Sequence, residues 1–318
     1  MSNAAKATLS TAWDLTHNIT DTATATTTTT PTALSVAAAP LVTTAATTAP
    51  PGGVIDAAST KFVYAVEGTS GLTANTAITS LTEAGGTAGD AVKFTLGGTG
   101  ASSFTVTTTN SVGTLSTGSA GAAGATNGKA YALTVTCTDT VTGQASPAIS
   151  TEVVVGSSGA DTVSVATLVG ASGTSATWAF IYGLGGGDKI NATGMTGKLF
   201  FMGGGGADTL TGGSGVNTYV YGNVNESTAS AMDIITNFAA SKDHIDLTGI
   251  GTSALTFAGT LASTVKTLAA NSIGVQASGG NTFVYVNNTG ASEAITAANL
   301  KIELQGSVAI GVANITHN

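Results

Sequence analysis

The sequence is poor in charged residues, cysteine and aromatic residues, and each shortage excludes a class of protein. Only 8% of its 318 residues are charged, against about 25% in an ordinary globular chain, so Thr, Ser, Asn and Gly must supply most of the surface. The net charge of −8 leaves no basic stripe for nucleic acid but is compatible with metal cations. The single cysteine, Cys137, excludes an internal disulfide.

Long apolar runs and catalytic motifs are also lacking. No run of about 18 apolar residues exists, so we expect no transmembrane segment. The N-terminus lacks the basic start and apolar block of a secretory signal peptide. The sequence contains neither an H-E-x-x-H zinc motif nor a G-x-S-x-G nucleophile elbow. The three histidines, His17, His244 and His317, are scattered. We therefore expect a protein that is not an enzyme.

Glycine, by contrast, is abundant, and one glycine-rich stretch repeats. Residues 203–220 read GGGGADTLT and then GGSGVNTYV, which are two copies of a nine-residue unit, G-G-x-G-x-D-x-U-x, where U is a large apolar residue. Its glycines allow a tight turn, its Asp supplies a carboxylate, and U packs into a core. The acidic position holds Asp208 in the first copy and Asn217 in the second. The glycines of the two turns include Gly203, Gly206, Gly212 and Gly215.

This unit resembles the nonapeptide repeat of the RTX family of secreted bacterial proteins. The resemblance implies a parallel β-roll that binds calcium, export by a type I system that reads a C-terminal signal, and an extracellular or cell-surface location. Residues 232–247 are similar to the segment that follows the repeats in serralysin-like C-terminal regions. There Asp233 matches a position that helps close the last calcium site, whereas Asp243 and Asp246 are expected to have turn and cap roles. The protease activity is not implied, because its zinc motif is absent.

The G-x-x-G spacing extends the series of turns back to residue 156. The sixth position of successive turns reads Asp161, Ser175, Asp188, Leu199, Asp208 and Asn217. Alternate turns of a two-sided roll lie on the same edge, so one edge is predicted to hold Asp161, Asp188 and Asp208. The opposite edge is predicted to hold Ser175, Leu199 and Asn217.

Calcium takes six to eight oxygens, which carboxylates and backbone carbonyls can supply together. The predicted calcium ligands therefore include the three aspartates of the first edge and the glycine turns around them, with Gly183 and Gly186 in the middle turn. Asp233 is expected to complete a site near Asn217. One alternative stays open, in which each Asp only caps backbone amides of a glycine-rich turn.

The chain as a whole is predicted to be all-β, with four regions. Residues 1–52 are a Thr- and Ala-rich segment, either a disordered leader or an assembly strand at 34–49. Period-two strands predict an Ig-like or cadherin-like β-sandwich over 53–155. The calcium β-roll and its closing segment follow at 156–250. Residues 251–318 are a C-terminal β-rich region with the expected export signal, including a strand at Val308–Val312.

Three classes of function remain open. The first is a secreted, calcium-dependent, self-assembling structural protein of a surface layer, sheath, filament or extracellular matrix; its partner is itself, and cell-surface polysaccharide is a further candidate. The second is a calcium-stabilised adhesin that binds glycan or another cell. The third is a non-catalytic fragment of a secreted hydrolase. In the first class, calcium outside the cell would fold a roll that stays unfolded inside it.

Overall fold

The computed structural model describes residues 71–82, 91–123, 128–141, 143, 145–146, 148–251 and 253–317, together with the backbone of 15–16, 33–34, 41–44, 67–68 and 83–84. Strands dominate this part of the chain, and it contains one α-helix, α1 (Val165–Gly173). The predicted all-β class is therefore confirmed. The rest of the segment 1–52 lies outside the described residues, as do residues 53–66 of the predicted sandwich.

The N-terminal half is a β-sandwich of antiparallel strands. A four-stranded sheet in the order β3-β6-β9-β8 packs on β7 and β11. Apolar residues from both layers, such as Leu81, Leu115 and Phe94, are buried between them. The Ig-like or cadherin-like topology stays a prediction. The strands of this half are β1 (Leu15–Thr16), β2 (Ala33–Leu34), β3 (Leu41–Thr44), β4 (Glu67–Gly68), β5 (Gly71–Leu72), β6 (Ala77–Ala84), β7 (Val92–Gly97), β8 (Phe104–Thr109), β9 (Val112–Thr117), β10 (Ala122–Ala123), β11 (Lys129–Asp139) and β12 (Ile149–Val155).

After β12 the chain coils as a parallel β-roll. It passes back and forth between a large sheet, which holds β12, β14, β16, β18 and β20, and a facing sheet, which holds β13, β15, β17 and β19. Neighbouring strands of the roll are parallel within each sheet. These strands are β13 (Thr162–Ser164), β14 (Trp178–Tyr182), β15 (Lys189–Asn191), β16 (Lys198–Met202), β17 (Thr209–Thr211), β18 (Asn217–Val220), β19 (Asp233–Ile235) and β20 (His244–Asp246).

The sandwich and the roll share strand β12. Val153 of this strand pairs with Tyr131 of antiparallel β11 on one side and with Phe180 of parallel β14 on the other. The large sheet is therefore one continuous layer of eight strands, from β7 to a C-terminal strand at Ile315–Thr316. The boundary predicted after residue 155 falls inside this sheet, so the two halves are joined by a hydrogen-bonded ladder as well as by the chain.

The C-terminal region completes both sheets of the roll. Strand β26 pairs in parallel with β19 and antiparallel with β24, and β27 pairs with β20. The strand predicted at Val308–Val312 is wrong: a 3-10 turn at Val312–Asn314 precedes β27, and the Asn314 amide holds it by donating to the carbonyls of Ala240 and Asp243. The strands are β21 (Thr256–Thr260), β22 (Thr267–Leu268), β23 (Ser272–Ser278), β24 (Asn281–Asn287), β25 (Glu293–Ala294), β26 (Leu300–Leu304) and β27 (Ile315–Thr316).

The core of the roll lies between its two sheets. The U positions of the two nonapeptides, Leu210 and Tyr219, are both buried there. The Tyr219 ring stacks on Phe201 with centroids 5.0 Å apart. Burying such a side chain fully stabilises the fold by about 1.5–3 kcal/mol, which is why the unit carries one large apolar residue per turn.

The turn predicted at Gly170 and Gly173 is instead the end of helix α1. The preceding run, Val165 to Val169, is apolar except for Thr167 and contains the helix formers Ala and Leu. The long spacing between the glycine pairs at 156 and 183 leaves room for this helical segment of nine residues, which is kinked at Gly170, where φ is +68°. A pattern of glycines alone does not separate a roll turn from a helix end.

Candidate metal centre

Four aspartates form a row along one edge of the roll, which we call the carboxylate row. Each loop from the large sheet to the facing sheet ends in an Asp that stands at or directly before the first residue of the short strand. The row consists of Asp161, Asp188, Asp208 and Asp233. Their exposed fractions are 2%, 0%, 1% and 0%, so all four carboxyl groups are removed from solvent.

Each of the last three aspartates is hydrogen-bonded to the turn before it. The backbone N–H of Asp161 donates to Asp188 Oδ1 at 2.8 Å, and that of Asp188 donates to Asp208 Oδ1 at the same distance. The N–H of Asp208 donates to Asp233 Oδ1 at 2.9 Å. The spacing predicted that Asp161, Asp188 and Asp208 share an edge, and the structure brings these three together.

Several of the remaining carboxylate oxygens have no hydrogen-bond donor. Asp161 Oδ1, Asp188 Oδ2 and Asp208 Oδ2 are buried and accept no hydrogen bond. An ionised carboxylate oxygen that is buried without a partner destabilises the fold strongly. These oxygens therefore require either a proton or a cation.

Glycines keep a small space open beside these oxygens. A Cβ atom on Gly183 would lie 2.4 Å from Asp188 Oδ2 and 2.3 Å from the carbonyl oxygen of Gly203. On Gly203 it would lie 2.4 Å from Asp208 Oδ2. A carboxylate oxygen and a carbonyl oxygen of the next turn thus face the same point, and oxygen atoms of these two kinds are the ligands that calcium prefers.

The loops of the row also stack at backbone contact. Gly206 has a φ of +133°, and a Cβ there would lie 1.8 Å from the carbonyl oxygen of Gly186. The N–H of Gly186 donates to the Gly205 carbonyl at 2.8 Å. Only glycine fits at Gly206, because both its φ and the neighbouring loop exclude a side chain.

The electrostatics of the row are those of carboxylates without a counter-ion. The pKa of Asp188 is raised to about 7, chiefly by burial; the Asp161 N–H lowers it, and the nearby charges of Asp208 and Asp161 contribute to raising it. Burial also raises the pKa of Asp208 to about 6. The pKa of Asp233 is raised well above its ordinary value, chiefly by burial and then by the charge of Asp208. A bound cation would reverse these shifts.

The residues of the row fit calcium. Among the described residues, no three His, Cys, Asp or Glu side chains converge as a closed metal cluster. A cation here would therefore be shared between carboxylates of neighbouring turns and completed by backbone carbonyls. This donor set consists of oxygens alone, which suits calcium and not zinc.

The opposite edge of the roll carries amides, and we call it the amide edge. Asp233 is not near Asn217, so the expected completion of a site there is wrong: the loop after β18 returns to the carboxylate row, and Asp233 stands beyond Asp208. The neighbour of Asn217 is Asp243, whose Oδ1 accepts from the Asn217 N–H at 3.0 Å. Leu199 is buried in the core and Ser175 is exposed beside α1.

The amide edge is closed by side-chain hydrogen bonds. Asn217 Oδ1 accepts from the Gly213 N–H at 2.9 Å, and Asn237 Oδ1 accepts from the Gly212 N–H at 2.7 Å. Gly215 is packed against the turn before it, since a Cβ there would lie 2.0 Å from the Gly197 carbonyl oxygen. The roles of Asn237 and Gly156 were missed, although Gly156 begins the glycine series and a Cβ there would lie 2.9 Å from Asp161 Oδ2.

Fold and site together define an RTX-type β-roll. The chain belongs to the Peptidase M10 serralysin C-terminal family, which matches residues 69–308. Membership in this family indicates a secreted protein of the calcium-binding repeat class. No helix in the described part of the chain is long and apolar enough to span a bilayer.

Two solved structures are similar to part of the chain. Both are subunits from the Azotobacter vinelandii mannuronan C5-epimerase. AlgE6R3 is 22% identical over 50% of this chain and 74% of its own, with a TM-score of 0.30. AlgE6R2 is 23% identical over 43% of this chain and 78% of its own, with a TM-score of 0.27. No curated protein matches.

Proposed function

We propose that the chain is a secreted structural protein that folds on binding calcium and then assembles with copies of itself at the cell surface or in the extracellular matrix. The carboxylate row carries this proposal, because its buried, unpartnered oxygens make the folded roll dependent on a cation. A ligand that binds only the folded state at 100 times its Kd stabilises that state by about 2.7 kcal/mol.

The residues of the row would act in neighbouring pairs. Asp161 with Asp188, Asp188 with Asp208, and Asp208 with Asp233 are each joined by a hydrogen bond from the backbone N–H of the first residue to the carboxylate of the second. Without a cation the buried charges repel and disfavour the roll. Calcium supplies the positive charge that lets all four stay ionised, so the fold depends on the calcium concentration outside the cell.

Strand exchange is the proposed route to assembly. Strand β3 lies in the Thr-rich N-terminal segment and pairs antiparallel with β6. Residues 45–66 separate it from β4, and a segment of that length reaches roughly 70 Å when extended. This reach lets β3 of one copy take the same place on β6 of the next, and repeated exchange would give a polymer.

Cysteine pairs can test this exchange. Val42 and Glu83 are partners in the ladder, so a mixture of the single variants Val42→Cys and Glu83→Cys, both in a Cys137→Ala background, should form a disulfide-linked dimer when calcium is present. A mixture of Thr44→Cys with Glu83→Cys is the matched control, because those positions are out of register. A double variant with both Val42→Cys and Glu83→Cys tests the pairing within one chain. Strand exchange is wrong if this double variant closes its disulfide internally while the mixture of the two single variants stays monomeric.

Microscopy separates the proposed polymer from the alternatives. Purified protein should form ordered polymers in calcium and lose them on chelation, and deletion of residues 1–52 should leave a folded monomer. An adhesin would need a receptor before it formed any assembly. Among the described residues, the large hydrophobic side chains that are exposed are Val141 and Val312, neither of which offers an aromatic ring to a sugar.

A further inference from the structure

The side-chain nitrogen of Asn217 lies among three oxygens on the amide edge. Asn217 Nδ2 donates to Asp243 Oδ1 at 2.9 Å, to the Gly213 carbonyl at 3.3 Å and to the Gly215 carbonyl at 3.4 Å. One carboxylate oxygen and two carbonyl oxygens of a glycine turn are the same kinds of atoms that face the glycines of the carboxylate row. Here a hydrogen-bond donor fills the space between them.

The chemistry around Asn217 fixes the orientation of its amide. Its Oδ1 accepts from the Gly213 N–H, while its Nδ2 faces the Asp243 carboxylate. The reverse orientation would put an oxygen against that carboxylate and an NH₂ group against an N–H, so both contacts would be repulsive. The positive end of the amide dipole must therefore point at the three oxygens.

The carboxylate of this edge is fully partnered, unlike those of the row. Asp243 Oδ1 accepts from the N–H and the Nδ2 of Asn217, and its Oδ2 accepts from the Ala239 N–H at 2.8 Å. The Lys242 ammonium donates to the Ser214 carbonyl of the same glycine turn. On the amide edge, cationic and dipolar donors from the chain itself thus satisfy the carboxylate and carbonyl oxygens. On the carboxylate row, oxygens of the same kinds remain without donors.

We propose that the Asn217 amide replaces a metal ion, so that the amide edge closes without calcium and the roll binds calcium on one edge only. The inference rests on the proposed calcium binding of the carboxylate row. The difference between the two edges depends on one atom, Asn217 Nδ2. With a carboxylate at position 217, an oxygen would replace this nitrogen beside the three oxygens already present, and a cation would be required to hold the four oxygens together.

Counting bound ions tests the inference. The full-length protein is folded in saturating calcium, and the ions bound per chain are counted by native mass spectrometry and by calorimetric titration with a chelator. Asn217→Asp should bind one calcium more than the wild type and should be less stable than the wild type in chelator. Asp243→Asn should bind the wild-type number. Asp208→Asn is the positive control and should bind fewer.

The ion counts distinguish failure of this inference from failure of the proposed function. A folded Asn217→Asp variant with no added calcium, or an Asp243→Asn variant that has lost one, would overturn the inference. If Asn217→Asp does not fold, the number of calcium ions bound by Asp243→Asn still shows whether the amide edge of the wild type holds an ion. A wild-type protein that binds no calcium, with no change in Asp208→Asn, would instead refute the proposed function, and a gain of one ion in Asn217→Asp would then still support the role of the amide.

Discussion

Asp188 and Asp208 lie in successive loops of the carboxylate row, joined by a 2.8 Å hydrogen bond from the Asp188 N–H to Asp208 Oδ1. The Oδ2 atoms of both residues are buried without a donor. One oxygen of Asp208 is thus structural and the other is left for a ligand. This division separates two roles within one carboxyl group, and a conservative substitution can test them separately.

Replacing Asp208 with Asn should weaken calcium binding at the two pairs that include Asp208 while keeping the turn. The amide oxygen can still accept the Asp188 N–H, but the charge that attracts calcium is lost. We expect the stabilisation by saturating calcium to fall by about 2–3 kcal/mol, with stability in chelator unchanged or higher, because a buried charge has been removed. Thermal unfolding with and without calcium measures both. Asp243→Asn is the control and should keep the full calcium effect; an equal loss there would contradict the assignment of sites.

Without calcium, the protein should become more stable as the pH falls. The pKa values of about 7 for Asp188 and about 6 for Asp208 lie above the value of about 3.9 for an unfolded Asp. The folded state therefore binds protons more tightly, and stability is gained as the pH falls through about 7 towards 4. Denaturant titrations of metal-free protein at pH 8 and pH 5 measure this gain. A flat or opposite pH dependence would show that the row is not desolvated.

Asp246 offers a pH effect away from the carboxylate row. Its Oδ1 accepts from the N–H and the hydroxyl of Thr248, its Oδ2 is buried without a donor, and burial raises its pKa to about 6. Asp246→Asn keeps an oxygen that can accept from Thr248 and removes the charge. The increase in the free energy of unfolding of the variant over the wild type should be about 1 kcal/mol larger at pH 8 than at pH 5. Unfolding at both pH values in calcium measures this, and an equal effect at both would refute it.

Gly203→Ala should damage the calcium site by sterics alone. The new Cβ would lie 2.4 Å from Asp208 Oδ2, so either the carboxyl group or the turn must move. We expect a loss of about 1–3 kcal/mol from crowding, and a weaker response to calcium. Gly290→Ala is the matched control, because a Cβ there would meet no atom within 4 Å. Thermal unfolding of both variants in a calcium series checks the difference; equal behaviour would mean that the space beside Asp208 is not used.

The regular part of the site was predictable from the sequence, because the repeat fixes the period. Asp161, Asp188 and Asp208 share an edge since alternate glycine turns face the same way. Asp233 was misplaced because the loop between β18 and β19 is longer than the other loops of the row, which hides its register. Its position follows only from the pairing of Thr209 in β17 with Ile234 in β19.

Tertiary contacts decided what the local pattern left open. The glycines at 170 and 173 fit the roll series but end a helix, since the apolar run before them packs on β11 and β12. The amide edge needed the Asn217–Asp243 contact, which joins residues 26 positions apart in the sequence. Hydrogen bonding between turns is not encoded in a nine-residue motif.

The shared strand β12 has a consequence for handling the protein. While the roll is folded, both sides of β12 are paired. If loss of calcium unfolds the roll, the side that faced β14 becomes an exposed row of N–H and C=O groups on a strand, ISTEVVV, that ends in three apolar residues. Such an edge is a template for aggregation. Calcium would therefore protect the sandwich from aggregation as well as stabilise the roll.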